Sequence, residues 1–224
     1  MRSKRYLDLT NIKRFWISVA PENPDGLTNQ FYVDNIRLLK APVPPAAPAG
    51  AQLFDFVAED FRAQRGFLPV LDRHRYHADV GFGFVDAKIW RSHHSVYADD
   101  LNRDGIFIRS GKFVVDVPNG RYAVALGARH LGFWSEHFWT RRKIEIEGQT
   151  VVDETRTNSA DRLAFDLQFQ DTEAEPGQHP YDLYLRGLFQ PIRTVVEVTD
   201  GQLDLSFAAS DCGVCLNWLI VAPA

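Results

Sequence analysis

An all-β protein built as an antiparallel sandwich is what this sequence predicts, and three observations carry the prediction. From about residue 50 onward, apolar and polar residues alternate with a period of two, as they do in strands with one buried face. Asn-Gly, Asp-Gly and other glycine-bearing pairs, which reverse the chain, separate these runs. A convincing 3.6-residue apolar period is missing, although "NSADRLAFDLQFQDTEA" has room for a helical turn. Twelve prolines and fifteen glycines against one methionine push the same way, toward turns and strands.

The elements follow in order. "QLFDFVAE" reads as an opening strand, and "GIFIRSGKF" as a strand entered from the Asn/Asp-rich turn "DDLNRDGI". "GKFVVDVPNGRYAVALGARH" predicts two strands joined in a tight hairpin at Asn119-Gly120. Phe113, Val115 and Val117 share one face there, and Tyr122, Val124, Leu126 and Ala128 another. "RRKIEIEGQTVVDE" repeats the device, with its turn at Gly148-Gln149 between Ile144/Ile146 and Val151/Val152. "FQPIRTVVEVTDGQLDLSFAA" predicts a third hairpin around Asp200-Gly201 that turns Leu203, Leu205 and Phe207 inward, and "CLNWLIVAP" closes the chain as an apolar strand. Hairpins with one apolar face each bury it by stacking two sheets.

The 224 residues divide at "APVPPAAPAG", residues 41–50, where four prolines among alanines make an extended spacer unable to enter a sheet or helix. Residues 1–40 hold two strand-like pieces, "IKRFWISV" and "QFYVDNIRLL", too few to fold alone. Residues 51–224 are long enough to bury a normal core.

Composition excludes several function classes. A net charge of −4 without charged blocks supplies no basic stripe for nucleic acid. No apolar run approaches the roughly 20 residues of a membrane helix, and the start does not form the apolar core of an export signal. Cys212 and Cys215 form one CxxC without a second pair, and read as buried free thiols. Four of the seven histidines fall between Arg73 and Tyr97 without zinc-type spacing, and no GxSxG or phosphate-cradling glycine loop is present. D-x-N-x-D-G from Asp100 begins like a calcium loop, but Gly111 stands where a bidentate glutamate is required. A structural calcium is thus a minor expectation, and no other cofactor is expected. Most acids, such as Glu145, Glu147, Asp153 and Asp204, fall on polar strand faces. Glu136 with Asp86 or Asp182 remains a conceivable hydrolytic pair.

The order of these pieces resembles the galactose-binding-like and malectin-like β-sandwiches appended to polysaccharide-degrading enzymes. Phe54-Asp55-Phe56, "FVVDVPNGRYAVAL", "IEIEGQTVVDE", "VTDGQLDLSF" and "LNWLIV" carry the resemblance, which spans Gln52 to Ala224. Val57 departs from it, standing where such modules usually have glycine. Residues 1–40 resemble the last two strands of another carbohydrate-binding jelly roll, in which the position of Asp34 often helps to hold calcium, with partner ligands upstream of this chain. The resemblance implies a jelly-roll fold and a non-catalytic module that targets a catalytic domain on the same parent chain to a polysaccharide or oligosaccharide. It also implies a secreted parent, extracellular or periplasmic. The alternatives are a structural interdomain sandwich without sugar affinity and a fragment of a glycoside hydrolase or polysaccharide lyase.

The candidate ligand-binding residues come from three aromatic stretches. "RHLGFWSEHFWTRR" offers Trp134 and Trp139 as stacking faces for a pyranose, with Arg129, Glu136 and His137 as hydroxyl partners; core plugging or an interdomain contact is the competing reading. "RHRYHADVGFGFVDAKIWRSHHSVY" is expected to be a loop, and Tyr76, Phe82, Phe84 and Trp90 are the counterparts of the sugar-contacting aromatics that malectin-like domains carry after their first strand region. "GQHPYDLYLRGLFQPI" adds Tyr181 and Tyr184, which either extend the platform or cap the core.

Overall fold

The computed structural model describes residues 47–59, 62–94, 101–128, 139–155, 178 and 190–224. The chain divides into two units, Met1–Leu39 and Lys40–Ala224, and every described residue belongs to the second. The jelly-roll remnant expected over residues 1–40 lies outside the described residues, as does the helical turn expected in "NSADRLAFDLQFQDTEA".

The described residues form eleven strands and no helix: β1 (Gln52–Phe56), β2 (Leu68–Val70), β3 (Phe82–His94), β4 (Asp104–Asp116), β5 (Gly120–Gly127), β6 (Arg141–Ile146), β7 (Gln149–Thr155), β8 (Ile192–Val198), β9 (Gln202–Ala209), β10 (Val214–Leu216) and β11 (Trp218–Pro223). One sheet, here sheet A, runs β2-β1-β11-β5-β8, and the second, sheet B, runs β10-β4-β9-β6-β7 with β3 on the far edge of β4. All pairings are antiparallel except β1 with β2. The expected antiparallel β-sandwich, of jelly-roll type, is thus the fold.

Two of the three expected hairpins are instead crossings between the sheets. β4 pairs with β3, β9 and β10, whereas β5 pairs with β11 and β8, so Val117–Asn119 carries the chain across the core. Thr199–Gly201 makes the same crossing from β8 to β9. The two crossings tie each other down: Asn119 Nδ2 donates to Thr199 O at 2.8 Å, and Val117 N donates to Gly201 O at 3.0 Å. The local signal cannot separate the two outcomes, because both strands of a crossing present their apolar side to one core, as hairpin strands also do. β6 and β7 do form a hairpin, but its turn is Glu147-Gly148, at φ 51° and 70°, one residue earlier than expected.

The core is a phenylalanine cluster. Phe113 of β4 meets Phe54, Phe56, Phe82 and Phe84 at ring separations of 4.9–6.3 Å, mostly edge-on, which suits the ring quadrupoles. Ile106, Ile144, Leu203, Leu205 and Leu219 complete it from both sheets. Asn217, fully buried between β10 and β11, marks where the last strand passes from sheet B to sheet A. Its N–H donates to Gly127 O, its carbonyl accepts from Phe56 N, and Nδ2 donates to Asp104 O at 2.8 Å.

The segment expected to be a loop around Phe82 and Trp90 is instead β3, a 13-residue strand. Its alternation is hidden by register shifts between Val85 and Arg91, with Asp86 at φ 46°. Gly111 accommodates the bulge, since a Cβ there would lie 2.4 Å from Ala87 Cα.

Candidate functional site

The expected ligand residues that are described separate to the two ends of sheet B. β3 pairs Phe82 with Val115 and Arg91 with Phe107, so Tyr76 and Phe82 lie about 25 Å along the strands from Trp90. No single platform contains all of them. Trp134, Arg129, Glu136, His137 and Tyr181 lie outside the described residues, as do Asp182 and Tyr184.

At the first end Tyr76 crosses over β3, held by paired hydrogen bonds: Tyr76 N donates to Phe84 O, and Phe84 N to His74 O. Gly83 permits this, because a Cβ there would lie 2.4 Å from Tyr76 N. The Tyr76 hydroxyl donates to the Asp116 carboxylate at 3.1 Å, and Gln202 Nε2 donates to the same carboxylate at 2.8 Å. Desolvation and Asp116 raise the Tyr76 pKa. The hydroxyl is therefore a fixed donor tying β4, β9 and the 74–81 segment together. Phe82 and Phe84 are packed into the core cluster.

The second end holds the candidate site. Trp90 is half-buried on the outer side of sheet B, edge-on to Phe107 at 5.6 Å and backed by Cys212 and Cys215. The Arg91 guanidinium sits 4.2 Å from the indole centroid, and that of Arg109 sits 6.0 Å away. Arg109 Nε donates to Asp211 O at 2.6 Å, which fixes the stem and directs the guanidinium beside the ring. His93 contributes a third ring against Phe107.

The Ser210–Gly213 turn connects this cluster to the predicted aromatic loop. Thr140 N donates to Ser210 Oγ and to Asp211 Oδ2, each at 3.0 Å, so the chain returns from residues 129–138 beside Trp90's neighbours. Arg142, with only 3% of its side chain exposed, fastens both ends of that segment. Its NH1 donates to Ala128 O at 2.8 Å, Nε donates to Glu154 at 3.0 Å, and its guanidinium lies 4.5 Å over the Trp139 ring. Trp139 is itself buried. Its indole packs under Arg142 and anchors the loop, which favours the core-plugging reading for this ring. Arg142 was missed by sequence reasoning, although it shares strand parity with the buried Ile144 and Ile146.

Neither cysteine is in a disulfide, both are buried as expected, and burial pushes the Cys215 thiol pKa well up. Among the described residues no group of three or more His, Cys, Asp or Glu side chains is arranged to hold a metal. In the calcium-like spacing, Asn102 Oδ1 accepts the Trp218 indole N–H, and the buried Asp104 carboxylate accepts Ala58 N–H. Asp86 is exposed at the β3 bulge. Asp204, Glu145 and Asp153 lie on the outer face of sheet B, the first two paired with Lys112 and Lys143. No described helix is long and apolar enough to cross a membrane.

Similarity to known proteins is at the level of fold. Neither a family model nor a curated protein sequence matches the chain. Among solved structures it is similar to the YxiM protein of Bacillus subtilis, at 20% identity and TM-score 0.50, over 78% of this chain and 40% of that one. A Bacteroides uniformis β-glucuronidase gives 15% identity and TM-score 0.45 over 78% of this chain and 18% of that one. A family 35 carbohydrate-binding module from Clostridium thermocellum gives 14% and 0.34 over 79% and 100%. The fold is galactose-binding-like. The chain spans less than half the length of the first two proteins, and a galactose-binding-like sandwich serves many ends, so the site has to carry the function.

Proposed function

We propose that this galactose-binding-like sandwich is a non-catalytic carbohydrate-binding module, which holds a catalytic domain of a secreted parent protein near its polysaccharide. The observation that supports the reading best is the half-buried Trp90 flanked by two guanidinium groups, at the end where residues 129–138 leave and rejoin the fold. An indole offers an apolar surface to the C–H face of a pyranose, and guanidinium donors beside it meet the ring hydroxyls. Trp134, Arg129, Glu136 and His137 are proposed to extend this surface. Holding substrate this way raises its effective concentration at the catalytic neighbour without new chemistry.

Catalysis in this unit has less support. Among the described residues the two fully buried acids, Asp55 and Asp104, accept backbone N–H groups from Gln64 and Ala58 and act as structural acceptors. A structural interdomain role is favoured by a different observation, an apolar groove on the outer face of sheet A.

Affinity electrophoresis through gels containing plant, fungal and bacterial polysaccharides tests the proposal. At least one polysaccharide should retard the full chain, and Trp134→Ala should remove most of that retardation without changing the melting temperature. Migration unaffected by every polysaccharide would leave the interdomain reading in its place.

A further inference from the structure

Irregular pairing between β3 and β4 brings Trp90 and its two arginines together. Ile89 pairs with Ile108 and Arg91 with Phe107, so Trp90 is an extra residue on β3. Lys88 pairs with Ser110 and Ile89 with Ile108, so Arg109 is in turn an extra residue on β4. Regular alternation would send the sequence neighbours Trp90 and Arg91 to opposite sides of the strand, and the first bulge puts them on one. That side is the outer one, since Arg91 stands opposite Phe107, whose ring meets the Trp90 indole. The turn between β9 and β10 closes in from the opposite edge of β4. Gly213, at φ 96°, comes so near that a Cβ there would lie 2.4 Å from Ile108 O, and Asp211 O accepts Arg109 Nε at 2.6 Å.

The chemistry of this cluster is one-sided. A guanidinium carries donors and no acceptor, whereas each hydroxyl of a neutral sugar both donates and accepts. A carboxylate only accepts, and it meets the planar guanidinium fork in two parallel hydrogen bonds. Arg109 has such a fork to offer. Its Nε is spent on Asp211 O, and its two terminal nitrogens have no hydrogen-bond or ion-pair partner among the described residues. The Asp211 carboxylate is turned elsewhere, with Oδ2 accepting from Thr140 N, Thr140 Oγ1 and Ser210 Oγ. Arg91 adds a second positive charge, and by lying over the indole, 4.2 Å from its centroid, it narrows the face on which a neutral pyranose would stack. The whole chain carries −4, so the positive charge is local to this cluster and not the general basic surface of a nucleic-acid binder.

Resting on the carbohydrate-binding reading of Trp90, we propose that the glycan is acidic, with the carboxylate of a uronic acid residue seated on the Arg109 guanidinium beside the indole. Isothermal titration of the full chain with oligosaccharides of polygalacturonate, alginate and glucuronoxylan, each in native and carboxyl-reduced form, tests this. Reduction turns each carboxylate into a primary hydroxyl and leaves the rest of the glycan intact. At least one native oligosaccharide should bind about tenfold or more tightly than its reduced form, as expected for a charge-assisted bidentate contact. Arg109→Gln should bring that ratio below about threefold with an unchanged melting temperature, and Arg109→Lys, which keeps the charge but not the fork, should give an intermediate ratio. Equal affinity for native and reduced forms would overturn the proposal and leave the carbohydrate-binding reading standing. Absence of binding to every native and every reduced form would instead remove the reading on which the proposal rests. A ratio unchanged in Arg109→Gln would also overturn it, and so would tighter binding of dextran sulfate oligomers, which would make the site one for sulfated polyanions.

Discussion

Arg142→Met tests whether one buried guanidinium anchors the proposed binding loop. The methionine keeps most of the aliphatic stem and removes three interactions. The charge-assisted bond to Ala128 O contributes about 1.5–3 kcal/mol. The contact over Trp139 contributes about 0.5–2 kcal/mol. The pair with Glu154, whose side chain is 41% exposed, contributes at most about 1 kcal/mol after solvent screening. These share one group and do not add fully, so the expected loss is about 3 kcal/mol. With a urea m-value of about 2 kcal/mol/M for a domain of this size, the unfolding midpoint should fall by about 1.5 M at unchanged slope. Glycan retardation should fall with it at urea concentrations where the protein is still folded, because the segment between Ala128 and Trp139 loses its fastening. A midpoint shift under about 0.5 M would refute the assignment of Arg142 as an anchor.

Gly83→Ala places a methyl 2.4 Å from Tyr76 N at a φ of 151°, so about 3 kcal/mol of stability should go, and near-UV circular dichroism should report displacement of the 74–77 segment. His74 accepts a hydrogen bond from Leu71 N–H, and burial, helped by Arg73, lowers its pKa from 6.5. A histidine with a lowered folded pKa binds fewer protons than the unfolded chain below 6.5, so its stabilisation is complete above that pH and is lost as pH falls through the window beneath it. Urea midpoints should therefore drop from about pH 7 to about pH 5.5, and His74→Asn, which still accepts the bond but does not titrate, should show a smaller drop. The buried Cys212 and Cys215 should resist maleimide in the native state and react at the rate of global unfolding; rapid native labelling would contradict their burial.

Much of the sandwich was legible because inward residues recur at strict parity: Phe113 and Val115, Tyr122 to Leu126, and Leu203 to Phe207 all reach the core as expected. Parity, however, says which side of a strand is apolar and not which sheet it joins, so the crossings at Asn119 and Asp200 read as hairpins. β3 escaped because its bulges at Asp86 and Ala87 shift the phase between Phe84 and Ile89, and a period-two pattern cannot survive that shift. For the candidate site, ring content pointed to Trp90 but also to Phe82, which packs against Phe54 and Phe113, and to the buried Trp139. Separating them requires knowing which sheet face each ring occupies, and that depends on pairings over as many as a hundred residues. Arg142 and Arg109 were unnoticed for the same reason, since Arg109 acquires its role only through Asp211.

Isothermal titration of the retarding polysaccharide, as soluble oligosaccharide, into wild type and Arg109→Gln tests whether Trp90 and the guanidinium beside it bind sugar. Arg109 is exposed and its variant should fold normally, with a melting temperature close to wild type. Measurable wild-type binding is expected, weakened about tenfold by the variant as one charge-assisted contact is lost, equivalent to about 1.4 kcal/mol. Equal affinity in the two proteins would contradict a ligand site at Trp90, and no heat of binding with any oligosaccharide would contradict the carbohydrate-binding function itself.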